Sequence, residues 1–299
     1  MFLPRPPPPM LKIALPNKGR LSTDARELFA DAGLPVRAQG ERALTASLGG
    51  EFEALFVRAQ DIPEFVADGA ADAGVTGLDL VAESGRDLDQ LLDLEFGRCR
   101  IVVAARDDGR VTTLADITGR PRVATVFPGV TRRFFEQAGQ PVDVVPVSGA
   151  AEIAPHLGIA DIIVDITSTG STLKMNGLRE VVTVLESSAR LIVAGGVAAM
   201  GLASDKRRAL DELTAALASV LRARGKRYLM ANVPRAALDR VREVLPGLNG
   251  PTVIDIMNGG SYVAVHAVVA ASTVFRTIAQ LKELGGEGIL VTRIERLMP

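Results

Sequence analysis

The chain has 299 residues, 47% hydrophobic and 23% charged, with 34 Lys and Arg against 35 Asp and Glu. That length supports about two or three domains with a sizeable core, and a net charge of -1 argues against general affinity for nucleic acid or an anionic membrane. Trp is absent, Tyr occurs twice, Cys once and His twice, which argues against stacking platforms for single strands, a disulfide framework and a Cys- or His-rich metal site.

Residues 1–10, MFLPRPPPPM, carry four consecutive prolines where a signal peptide needs an apolar run, and no apolar stretch of membrane-spanning length follows. They read as a disordered lead on a cytoplasmic protein. LKIALP (Leu11 to Pro16) is a first strand, NKGR follows it, and a helix is expected from about Ser22 to Ala32 with Gly33 as its stop. EFEALFVRA reads as a strand and DIPEFVADG as a helix with Asp61 as N-cap and Pro63 in its first turn. ADAGVTGLDLVAESG gives a strand, a glycine turn and a helix; RCRIVVAAR is a strand and TTLADITG a short capped helix.

A second alternating unit follows: strand PRVATVF, helix GVTRRFFEQAG, strand VDVVPVSG, helix AAEIAPHLG and strand ADIIVDI, with two more strands in REVVTVLESSARLIVAG. This alternation predicts α/β layers. If Leu191 to Ala194 rejoins the first sheet, the lobes are 11–103 with 190–204, and 104–189, with a ligand cleft at the C-terminal ends of the strands. Residues 205–299 form a further domain with a long leading helix. From Lys226 onward its pattern is β-α-β-β-α-β, a ferredoxin-like α+β unit.

The stretch Asp165-Ile-Thr-Ser-Thr-Gly-Ser-Thr172 leaves a buried strand and offers a carboxylate, short hydroxyls and backbone N–H groups. Successive N–H groups there make an anion concavity, which Thr169, Ser171 and Thr172 extend, while Asp165 could accept from sugar hydroxyls. A capped connection without ligand is the alternative, and neither GxxxxGK[ST] nor GxGxxG is present. Lys18 and Arg20, after the first strand, could neutralise a polyphosphate or lie on a solvated turn; Arg58 is a third candidate cation. Asp79 and Asp72 could pair with such cations as easily as with a ligand. His156 reads as structural, His266 as a position on one sheet face, and Cys99 as packing.

Taken together, LPNKGRL, VRAQDIPEFVADGAADAGVTGLDL, GRCR, SGAAEIAPHLGIADIIVDITSTGSTLKMNGLRE, KRYLMANVP and PTVIDI make the chain resemble the ATP phosphoribosyltransferases of histidine biosynthesis, in the long form with a C-terminal regulatory domain. The resemblance implies a periplasmic-binding-protein-like catalytic core that condenses ATP with 5-phosphoribosyl 1-pyrophosphate (PRPP). The products are N1-(5-phosphoribosyl)-ATP and pyrophosphate. It assigns PRPP to Glu152, Asp165, Ser168, Thr169, Gly170, Ser171 and Thr172, and the ATP and pyrophosphate side to Lys18, Arg20, Arg58 and Asp79. Lys18, Arg20, Arg58 and Asp165 are then the catalytic set. Mg²⁺ is expected on the diphosphate without a protein-only metal site. Histidine is expected as an allosteric inhibitor near Met257 to His266, in a homohexamer built from dimers. A sensor of small solutes is the reading from another class, disfavoured by so many phosphate donors.

Overall fold

The computed structural model describes residues 10–37, 43–196, 204–257 and 260–298. Apart from Met10, the expected disordered lead lies outside them. Two compact units divide after Thr214, and the first contains two sheets.

In the first sheet, β1 (Leu11–Pro16) is flanked by β3 (Phe52–Val57) and β4 (Ala73–Gly77) and runs parallel to both. Five of its six residues are buried, as expected of a parallel strand covered on both faces. β2 (Thr45–Gly49) adds an antiparallel edge, and β11 (Ala189–Ala194) lies antiparallel between β4 and β5 (Leu88–Asp93), giving the order β2-β3-β1-β4-β11-β5. Helix α1 (Arg20–Asp31) buries Ala25, Leu28 and Phe29 on one face. Full burial of Phe29 contributes about 1.5–3 kcal/mol. Helices α2 (Ile62–Ala67) and α3 (Leu78–Ser84) follow β3 and β4.

The second sheet has the order β10-β6-β9-β7-β8, built from β6 (Cys99–Arg106), β7 (Arg122–Thr125), β8 (Asp143–Pro146), β9 (Ile162–Thr167) and β10 (Leu178–Ser187). Strands β7, β8 and β9 are parallel; β6 is antiparallel to β9 and β10. Helices α4 (Pro128–Gln137) and α5 (Ser171–Met175) follow β7 and β9.

The two-lobed layout is therefore present, but a boundary after residue 103 cuts β6, which pairs only within the second sheet. The break belongs between Asp93 and Cys99, and the return crossing is a single residue, Ser188, between β10 and β11. The helix expected at AAEIAPHLG is instead a 3-10 turn over Ala151–Ile153 followed by turns. Pro155 cannot donate to a continuing helix.

The expected leading helix is α6 (Ser204–Ala223), and the division between the two units falls within it. Beyond α6 come β12 (Lys226–Pro234), α7 (Leu238–Val244), β13 (Thr252–Asp255), β14 (Tyr262–Ala270), α8 (Val274–Glu283) and β15 (Glu287–Arg293). The sheet order is β13-β14-β12-β15, every neighbour antiparallel. One face carries the core, with Leu229, Val233, Val263 and Val265 fully buried; the other exposes Met230, Ile254 and Leu290.

Candidate active site

Parallel strands place the loops that follow them at one edge. In the first lobe Pro16 pairs with Val57, and the Asn17 N–H donates to Val57 O at 2.8 Å. Lys18 and Arg20 therefore emerge beside Arg58, which opens the turn after β3. Gly19, at φ 80°, lets the chain enter α1 directly. All three cations are exposed; Arg20 is held only loosely by Asp24, 3.8 Å away. Asp72 is engaged elsewhere, with Lys206 at 2.7 Å.

The corresponding edge of the second lobe carries the loops after β8 and β9. Ser168, Thr169, Ser171 and Thr172 are exposed there, whereas Thr167 turns inward and its Oγ1 accepts the Gly170 N–H at 2.9 Å. Thr169 Oγ1 and Ser171 Oγ lie 2.9 Å apart, so two hydroxyls point to one place. Gly170 sits at φ 76°, a conformation that a side chain would strain. Asp165 stands on β9, accepting the Ile166 N–H at 2.7 Å. Burial pushes its pKa up; the Ile166 bond partly offsets this, and the charge of Glu152 adds to the rise. Glu152 comes from the 3-10 turn after β8, entered through Ala150 at φ 51°. Left-handed backbone at a non-glycine residue costs about 1–3 kcal/mol. The structure thus gathers Glu152, Asp165 and the 168–172 loop at one edge.

Both crossings join these same edges. Arg100, near the start of β6, pairs with Thr167 and with Glu186 at the end of β10. Ala189 pairs with Gly77 at the end of β4, and Leu78 N–H donates to Ser188 O at 3.0 Å. Both crossings thereby start from the strand ends that carry these loops. At the crossing lies a cavity of about 280 Å³ whose lining includes Arg98, Arg100, Arg190, Ser168, Glu186 and Ser187. Arg190 pairs with Asp93 at 3.0 Å. Burial works to raise the pKa of Asp93, but the Glu95 N–H, Ser188 hydroxyl and the Arg190 and Arg98 charges outweigh it and hold it low.

Asp79, expected on the ATP side, is 6% exposed. Its Oδ1 accepts from Ser187 Oγ at 2.6 Å, and its N–H donates to the same hydroxyl at 3.0 Å. The carboxylate is thus occupied in fastening the crossing. Cys99 is packed beside it, its thiol pKa pushed up by burial and then by Asp79. His156 Nε2 lies 2.6 Å from Asn176 O and pins the end of α5. Arg98, Arg100, Arg190 and Ser187 were not singled out as site residues; their only signals were the GRCR and ESSAR segments, which do not reveal that two crossings meet. Among the described residues no group of three or more His, Cys, Asp or Glu is placed to hold a metal, and no helix is long and apolar enough to cross a membrane.

In the second unit, His266 stands opposite the core face and its Nδ1 lies 2.5 Å from Tyr228 OH. Of the expected regulatory stretch Met257 to His266, residues 258–259 lie outside the described residues.

The fold defines an α/β protein whose first unit holds two sheets, with cationic side chains at the strand ends of one and short hydroxyls at those of the other. Residues 58–219 match the family model described as ATP phosphoribosyltransferase, and residues 223–296 match its C-terminal domain. The ATP phosphoribosyltransferase of Gemmatimonas aurantiaca is 73% identical over 293 residues, covering 97% of this chain and 100% of the relative. That of Natronomonas pharaonis is 52% identical, with 97% and 100% covered. A solved ATP phosphoribosyl transferase (HisG:HisZ) complex from Thermotoga maritima aligns with a TM-score of 0.59 and 29% identity, covering 70% of this chain and 99% of that one. The chain belongs to the ATP phosphoribosyltransferase family, in the long form that carries the C-terminal domain. It is a pentosyl-transferring enzyme of histidine biosynthesis.

Proposed function

We propose that the cleft binds PRPP against the second lobe and ATP against the first, and joins adenine N1 to ribose C1 with loss of pyrophosphate. The observation that carries this reading is the convergence of Thr169 and Ser171 hydroxyls beside Asp165 and Glu152 at one edge, opposite an edge bearing Lys18, Arg20 and Arg58. Ser168 to Thr172 hold the 5′-phosphate through hydroxyls and backbone N–H groups. Asp165 and Glu152 accept from the ribose hydroxyls.

Adenine N1 is already nucleophilic, so no activated Ser or Cys is needed; holding N1 against C1 accounts for much of the barrier reduction. Positive character develops on the ribose as the C1–O bond breaks. The departing diphosphate is met by Lys18, Arg20 and Arg58, with Arg98 and Arg190 at the cleft floor. The carboxylates of Asp165 and Glu152 are oxygen donors that would suit a Mg²⁺ brought in with the diphosphate. Such an ion would supply charge neutralisation of the leaving group.

The second unit's split β-α-β connectivity and its β13-β14-β12-β15 order support a ferredoxin-like fold for it. We assign it histidine binding near Tyr228 and His266, with inhibition arising from unequal histidine affinity for two states of the enzyme. Its exposed apolar sheet face supports self-association as a homohexamer built from dimers. The test is pyrophosphate release with ATP, PRPP and Mg²⁺ together and with each omitted in turn. Release should need all three and fall when histidine is added; release without PRPP would sink the reading of the loop, and insensitivity to histidine the assignment of the second unit.

A further inference from the structure

The phosphate loop rests on a charged pair. A Cβ at Gly170 would lie 2.8 Å from Glu180 Oε1, so this carboxylate sits directly under the loop. Arg100 Nη2 donates to both oxygens of Glu180, at 2.8 and 2.9 Å. The two residues are 80 apart in sequence and lie on neighbouring strands; Arg100 is in register with Glu186, and its side chain reaches along β10 to Glu180. Arg100 also lines the cavity that Ser168 borders. Its Nε is buried without a hydrogen-bond partner among the described residues.

A bare carboxylate in that place repels any anion in the loop. The side chains of Arg100 and Glu180 are 35% and 33% exposed, so the repulsion is screened but not abolished. A pair this exposed adds little to stability, and stability alone is thus a poor reason for placing two charges beneath a phosphate site. We propose that Arg100 is a positioning residue for the phosphoribosyl donor, neutralising Glu180 under Gly170 so that the loop accepts an anion. This rests on the assignment of residues 168–172 to the donor's phosphate.

The test is the KM for PRPP and for ATP, by pyrophosphate release from the full chain, in Arg100→Met, Arg100→Lys, Glu180→Gln, the Arg100→Met/Glu180→Gln double variant and a Ser171→Ala/Thr172→Val control. Arg100→Met should raise the PRPP KM on the order of tenfold at low salt, with a smaller gap at high salt, and leave the ATP KM within about twofold. Arg100→Lys should recover most of the loss. Glu180→Gln should bind PRPP no more weakly than the parent, and in its background the Met substitution should have no further effect, since no carboxylate is left to neutralise. Loss that persists in the Glu180→Gln background, or that falls equally on ATP, overturns the proposal. Should Arg100→Met fail to fold, comparison of the double variant with Glu180→Gln decides alone. An unchanged PRPP KM in the Ser171→Ala/Thr172→Val control would remove the loop assignment itself; a raised value there with Arg100→Met unaffected removes only the role of Arg100.

Discussion

Asp165 carries opposing demands. Its proposed task is to accept from sugar hydroxyls, in a place where burial and Glu152 disfavour the charge. Because the folded pKa is raised, its contribution to stability is full below the ordinary carboxylate value near 4 and is lost as pH rises through the folded value. Asp165→Asn should therefore raise the melting temperature at pH 7 but not at about pH 3, as thermal unfolding at the two pH values will show. The same substitution should lower kcat/KM for PRPP on the order of a hundredfold, a residue kept for function against stability. Asp165 and the hydroxyl loop were legible in the sequence because their chemistry is contiguous: carboxylate, hydroxyls and glycine follow one another along the chain. Arg100 with Glu180 and Asp79 with Ser187 were not, because their partners lie 80 and 108 positions away and only the folded chain brings the side chains together.

At the level of elements, the lobes are fastened by a carboxylate that serves a helix it does not belong to. Phe127, preceding α4, offers no side-chain cap. Glu83 of α3 takes that place, its two oxygens accepting the Gly129 and Val130 N–H groups at 2.9 Å each. Glu83→Ala should destabilise the first unit by about 1–2 kcal/mol, measurable by urea unfolding, whereas Glu83→Gln keeps one acceptor and should lose less. The 3-10 turn Leu114–Asp116 is capped locally instead: Asp116 accepts N–H and O–H bonds from both Thr112 and Thr113, which lower its pKa to about 2. With a depressed folded pKa, that capping contribution is present above the ordinary value near 4 and is lost only as pH falls through about 2. Amide exchange across 112–117 should stay protected to about pH 3 in the parent and lose protection in Asp116→Ala. The TTLADITG signal was readable since its capping box is local. Strands β2 and β5 escaped the sequence reading: TASLG is short and LDQLLD lacks clean alternation, so each depends on a neighbouring strand.

Across the whole molecule, the break after Thr214 separates a catalytic unit from one that holds its own core. If the open sheet face of the second unit is where copies meet, Ile254→Lys with Leu290→Lys should yield smaller assemblies in light scattering while pyrophosphate release is retained. The alternation of strands and helices made the layers legible; the exposed positions at 230, 254 and 290 were not, because apolar residues on a strand announce burial without saying against what. The placement of β11 carries one more consequence, for biosynthesis. The second lobe is contiguous from Cys99 to Ser187, whereas the first has a gap between β4 and β5 until Ala189–Ala194 fills it. On the ribosome, the inserted lobe can close while the lobe begun earlier still waits with two open strand edges. The nascent chain is thus most exposed to aggregation midway through translation, and the last strand of the first unit completes the lobe that was begun first.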